Sequence, residues 1–255
     1  MYDPSDKSRL DRAGIARGLR QIGIRPGDLL QVHSSLSAIG YVEGGADAVV
    51  DALLEALGPT GTLMVPTFNH GAAEVFDVQT TPSVNGAITE AVRKRPAAKR
   101  SVHPTHPYAA IGPLAEELTC EHLELLTFDE RSPLGKLATM GGHVLLLGVG
   151  MDRCTAAHIG ETMARVPCVG YREFERKVLG SDGTVHTAWA VLWRDGPCSL
   201  EWDPLEEAMR RQGMIVDGRI GDAVVQYMRA MDVVHTAYEL TKVHCPSCRT
   251  RPQRG

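Results

Sequence analysis

The sequence lacks the features that would place it in a membrane, outside the cell or on a nucleic acid. Its apolar runs, such as the one near 144–147, fall far short of the ~20 residues that a helical bilayer span requires. No basic segment followed by an apolar one opens the chain, so nothing at its start reads as a secretory signal. Cysteine is sparse: six are scattered through 255 residues, a usage expected of reduced thiols in a cytoplasmic protein. Charge of one sign is scarce too. Lys and Arg number 27 against 31 Asp and Glu, and this small acidic excess argues against nucleic acid as a partner. There is no internal repeat, no low-complexity stretch and no linker between independent domains.

What is present is ordinary globular composition. The chain is 43% hydrophobic and 23% charged, which excludes intrinsic disorder. At roughly 150 residues per domain, the length suits one large domain or two small ones. The expected organisation is one folded unit over 1–244 and a basic, Cys-containing, mobile tail over 245–255. Glycine and proline punctuate an alternation of elements. A helix is expected over 7–22, a buried strand over 28–33, and a second helix from Ala46 to the Gly58-Pro59 stop. In that helix Val49, Val50, Leu53, Leu54 and Leu57 recur at offsets 3, 4, 7, 8 and 11, the strongest helical period in the chain. Strands are expected over 62–68, 107–111 and 143–149, and helices over 85–95, 155–164 and 231–243. A hairpin is expected at 171–178 and 184–193, around Gly180 to Gly183. Strand, loop, helix and strand in that order predict parallel pairing through a helical crossover, hence an α/β sheet covered on both faces.

Chemistry concentrates in three places. The first strand runs into His33-Ser34-Ser35-Leu36 and then into a loop with Gly40, Gly44 and Gly45. Small residues beyond a strand's carboxyl end let backbone N–H groups approach an anion. Neither Gly-x-Gly-x-x-Gly nor Gly-Lys-Ser/Thr is present, so a tight strand-to-helix connection is the plainer reading of the same residues. The second place is His103-Pro104-Thr105-His106-Pro107, stiffened by its prolines. The third is His158 with Glu161, at i and i+3 of the expected helix. A carboxylate there can fix the imidazole tautomer and stabilise the imidazolium of a general base; a surface pair is the alternative. Zinc has weak support. His103, His106, Cys154 and His158 lack a compact helical pairing, and Cys245-Pro246-Ser247-Cys248 has no second Cys-x-x-Cys to close a site.

These residues together carry a resemblance. The stretch Val-His-Ser-Ser-Leu-Ser-Ala-Ile-Gly-Tyr-Val-Glu-Gly-Gly at 32–45 resembles the opening of the aminoglycoside 3-N-acetyltransferases, the antibiotic N-acetyltransferase family. The similarity continues, in order, through 58–68, 100–106, 109–112, 132–135, 145–148 and 152–161. It implies a three-layer α/β/α fold with a mixed central sheet, distinct from the GNAT acetyltransferases. It also implies acetyl-CoA as co-substrate, no metal, and direct acetyl transfer to the 3-amino group of a deoxystreptamine ring. By position, His33, Ser34, Ser35, Leu36, His103, Thr105, Ser132 and Leu134 would line the coenzyme side, and His158 with Glu161 would be catalytic. A polycationic acceptor calls for acidic walls, with Glu74, Asp77, Asp129, Glu130, Glu201 and Asp203 as candidates. Phe68, Asp77 and Glu201 are the chosen substrate contacts. Cys154 is expected to be a packed thiol. The chain departs from the family at Pro107, where many members carry Ser, and at loop 69–73, which has little aromatic or acidic character. The acceptor is therefore an aminoglycoside or another small amine. A same-fold N-acyltransferase of a biosynthetic amine and a zinc-stabilised binding protein are the competing readings, and a homodimer is left open.

Overall fold

The computed structural model describes residues 8–123, 125–166, 171–180, 182–193 and 201–244. Its first elements are β1 (Arg9–Leu10) and α1 (Arg12–Ile22). The helix expected from residue 7 begins only at Arg12, because the Asp11 carboxylate accepts the Gly14 N–H at 2.7 Å and caps it there. Then follow β2 (Leu29–Ser34), α2 (Leu36–Ile39), β3 (Tyr41–Val42), α3 (Gly45–Leu57) and β4 (Thr62–Pro66). The middle of the chain forms β5 (Val75–Phe76), α4 (Ala87–Arg93), β6 (Lys99–Arg100), β7 (Tyr108–Ile111), α5 (Ala115–Thr119) and α6 (Pro133–Thr139). The last part forms β8 (His143–Leu147), α7 (Ala156–Ala164), β9 (Tyr171–Leu179), β10 (Val185–Trp193) and α8 (Trp202–Arg211). It ends with β11 (Val216–Ile220), β12 (Ala223–Arg229) and α9 (Ala230–His244). The tail 245–255, with Cys245 and Cys248, lies outside the described residues.

The main sheet has seven strands in the order β11-β12-β8-β2-β4-β7-β6. Its centre, β8-β2-β4, is parallel, as the helical crossovers require, and both flanks are antiparallel. A second sheet places the β9–β10 hairpin beside β5. Successive side chains of a strand point to opposite faces. Leu30, Val32, Leu63, Val65, Leu145 and Leu147 thus join the helices α1, α3 and α4 on one side. Leu29, Met64, Val144, Leu146 and Met228 join α5–α9 on the other. The architecture is the expected three-layer α/β/α with a mixed sheet. No described helix is long and apolar enough to cross a membrane.

The close approach of two of these helices depends on a glycine. A Cβ at Gly160 would run into the Val234 carbonyl oxygen and the Tyr238 backbone nitrogen of α9. Its absence lets α7 lie directly on α9. The helix carrying His158 and Glu161 is thereby seated against a second helix rather than on a loop.

Candidate active site

Beyond the carboxyl ends of β2 and β4 the chain opens into a cleft of about 800 Å³. Ser34, Ser35, Leu36, Asn85, Thr89 and Arg153 line it, together with the ring of His33. Gly45 and Gly86 also lie on its wall, and a Cβ added at either would meet nothing within 4 Å, so the space beside them is open. Ser34 Oγ is buried with no partner among the described residues, an orphaned polar atom on the cleft wall. All four residues of the expected His33-Ser34-Ser35-Leu36 turn therefore stand at this cleft.

His33 links the cleft to α7. Its Nε2 lies 2.7 Å from Gln31 Nε2 and 3.2 Å from the Thr155 Oγ1. Thr155 is the N-cap residue of α7, yet its side chain makes no capping bond; the hydroxyl is turned to His33 instead. Burial lowers His33 to about 3, with His158 and Arg153 pushing the same way, so the ring is neutral at ordinary pH. One turn further along α7, His158 Nδ1 meets Glu161 Oε2 at 2.6 Å. The side chains are 13% and 2% exposed, so this is a buried pair rather than a surface one. A carboxylate on Nδ1 holds the ring proton there and places the lone pair on Nε2. Phe128 packs against the His158 ring at 5.0 Å between centroids, and Trp202 meets it edge-on at 5.3 Å.

The other expected coenzyme contacts are displaced inward. His103, Thr105, Ser132 and Leu134 are all buried and do not line the cleft. His103 Nδ1 accepts the backbone N–H of His106 at 3.0 Å and of Thr105 at 3.3 Å, which ties the loop to itself. Ser132, read as part of a turn, is the N-cap of α6; its Oγ accepts the Gly135 N–H at 3.3 Å, with Pro133 in the first helical turn. Leu134 belongs to the apolar core.

Phe68, expected at the acceptor, is buried in a ring cluster, 4.6 Å from His106 and 5.2 Å from Tyr108 between centroids. Asp77 is spent on its own turn. It accepts from Thr80 Oγ1 at 2.6 Å and the Gln79 N–H at 2.8 Å, bonds that hold its carboxyl below the usual range. Glu201 is exposed and immediately precedes Trp202, the ring that touches His158; Asp203 follows it. Asp129 follows Phe128 in the same way. Burial pushes its carboxyl up, but Arg131 outweighs this, bonding it at 2.9 Å and holding it below the usual range. Phe128 and Trp202 themselves went unnoticed in the sequence, since an isolated aromatic gives no signal of which histidine it will reach. Cys154 is fully buried and its thiol is pushed up to about 12, which suits a packed side chain and not a nucleophile. Among the described residues no group of three or more His, Cys, Asp or Glu is arranged to hold a metal ion.

A family model described as aminoglycoside 3-N-acetyltransferase matches residues 31–242. Aminoglycoside N(3)-acetyltransferase III of a Salmonella species is 37% identical over 198 residues, covering 70% of this chain and 68% of its own. The fold superposes on AAC-IIIb, solved as a binary complex with CoASH, with a TM-score of 0.85 at 25% identity, over 93% of this chain and 98% of that one. On AAC-VIa bound to sisomicin the TM-score is 0.85 at 26% identity, over 94% and 100% of the two chains. With a match that runs from the middle of β2 into α9, the chain belongs to the aminoglycoside 3-N-acetyltransferase family of acyltransferases.

Proposed function

We propose that the protein transfers the acetyl group of acetyl-CoA directly to the 3-amino group of the deoxystreptamine ring of an aminoglycoside, with His158 as general base. The observation that carries this reading is the buried His158–Glu161 pair, 2.6 Å apart. An ammonium is not a nucleophile. The amine must lose a proton as it bonds to carbon, and an imidazole whose Nδ1 is engaged by a carboxylate offers its Nε2 lone pair for that proton. Glu161 then faces an imidazolium and offsets its charge.

Two further features favour this chemistry. The open glycine wall, the orphaned Ser34 hydroxyl and the Arg153 guanidinium suit a phosphate-bearing, extended ligand such as coenzyme A. The acids Asp129, Glu201 and Asp203 flank the two rings that touch His158, which suits a polycationic acceptor. A direct transfer needs no protein nucleophile, in keeping with the inert Cys154 thiol. AAC-IIIb with CoASH and AAC-VIa with sisomicin share the fold and supply the two ligand classes.

The test is release of free thiol from acetyl-CoA in the presence of kanamycin- and gentamicin-type substrates, with the product located by mass spectrometry and NMR. Acetylation at the 3-amino group is expected. Turnover only on unrelated amines would replace the acceptor, and no stabilisation of the protein by coenzyme A would remove the reading altogether.

A further inference from the structure

His33 stands where the cleft and the base meet. It lines the cleft, and its Nε2 meets Thr155 at the head of the helix that carries His158. What its ring can do depends on which nitrogen holds the proton. Three groups converge on Nε2: Gln31 Nε2 at 2.7 Å, Thr155 Oγ1 at 3.2 Å and the Thr155 backbone nitrogen at 3.4 Å. The side-chain groups can be read either way, because an amide can be turned over and a hydroxyl both donates and accepts. The backbone N–H cannot: it only donates. An Nε2 that faces it presents its lone pair, and in a neutral ring the proton then sits on Nδ1.

The sequence around the ring supports a purpose beyond packing. Gln31 is a fully buried amide between Leu30 and Val32, and its Oε1 is left without a partner among the described residues. That is a costly residue to bury unless its N–H is needed. The surface that His33 reaches is the cleft wall.

We infer that Gln31 and Thr155 lock His33 as the Nδ1–H tautomer, a neutral and rigid N–H donor aimed into the cleft, whose acceptor is the carbonyl oxygen of the bound acyl thioester. The choice of acceptor rests on the acyl-transfer reading above. As the nitrogen–carbon bond forms and the carbon–sulfur bond breaks, the amine proton passes to His158 and the electron pair leaves with sulfur. Negative charge gathers on the carbonyl oxygen in between. A fixed donor in a dry site is worth most at such an atom. His33 keeps its proton throughout, so it is a hydrogen-bond donor and not a second base. Gln31 and Thr155 are positioning residues that act through it.

The tautomer can be read without turnover, from long-range nitrogen–proton correlation spectra of the ¹⁵N-labelled protein near pH 7.5. His33 signals are assigned by their loss in His33→Asn. A protonated Nδ1 with an unprotonated Nε2 is expected; a proton on Nε2, or on both nitrogens, overturns the proposal. Thr155→Val should mix the two tautomers and lower kcat by on the order of 10-fold, with KM for the acyl donor nearly unchanged. Thr155→Ser should restore both, which a merely structural role for the methyl group would not allow. Gln31→Leu should act like Thr155→Val. Wild-type kcat in a folded Thr155→Val protein would count against the lock as a catalytic device. Should no protein turn over while the spectrum is as expected, the transfer reading and the carbonyl acceptor fall together and the lock itself stands.

Discussion

On one face of the central sheet, Leu30, Val32, Leu63, Val65 and Leu147 meet α1, α3 and α4 in an almost wholly aliphatic layer. On the other, the same strands and the loops that follow them deliver His33, Phe68, His106 and Tyr108 toward α7, whose own His158 sits against Phe128 and Trp202. The two layers are equally buried, but one is chemically silent and the other is full of groups with protons to place. What separates them is strand alternation: in β2, Leu29, Gln31 and His33 point one way while Leu30 and Val32 point the other. A single strand therefore supplies both the packing that fixes its position and the side chains that the position serves.

If the division of labour holds, damage to the two faces should read out differently. The largest effect is expected from His158→Ala, which should lower kcat by about 10²–10⁴-fold while stabilisation by coenzyme A persists. Steady-state kinetics and a thermal-shift titration check it. Glu161→Gln should lower the rate less and move its pH profile; an unmoved profile would separate the carboxylate from the base. On the aliphatic face, Leu53→Ala in α3 should cost about 2–5 kcal/mol of stability in urea unfolding, with kcat per folded molecule unchanged.

The face rich in histidine should also be the acid-sensitive one. Burial holds both His33 and His103 at about 3, and holds His106 and His122 well below the usual 6.5. Unfolding frees these rings to bind protons, so between about 6.5 and about 3 the unfolded chain carries more protons than the native one. Their contribution to stability is complete above that window and is lost as the pH falls through it. The urea midpoint should therefore drop between about pH 7.5 and about pH 4.5. His103→Asn, which retains an acceptor for the His106 N–H, should flatten the dependence. The smallest effect is expected from Asp11→Ala, at the exposed end of α1: roughly 1 kcal/mol from the lost cap and no change in activity.

Much of this was legible in order along the chain. The apolar recurrence from Ala46 to Leu57 is the signature of a helix with one buried side, and α3 is that helix. The spacing of His158 and Glu161 put them one above the other on α7, and they are hydrogen-bonded there. A residue's distance from solvent is not legible in the same way. His103, Thr105, Ser132 and Leu134 sit in a family-like pattern, but the antiparallel β6–β7 pairing and the α6 cap draw them inside. Phe68 is packed among rings, and Asp77 is bonded within its own turn. β11 and α8 were not found, because β11 is largely exposed and α8 buries only Leu205 and Met209.

Local pattern thus settled the longer helices and the central strands, that the sheet is covered on both faces, and that an imidazole and a carboxylate share a helix face. These depend on neighbours within a few residues, and chain connectivity alone brings such neighbours together. Tertiary structure decided which histidines are walled in and which reach the cleft, which rings press on His158, and how Gln31 and Thr155 come to share one nitrogen of His33 across 122 positions of sequence. Those outcomes follow from the packing of α7 on α9 and of both on the sheet, and no short window of residues contains that geometry.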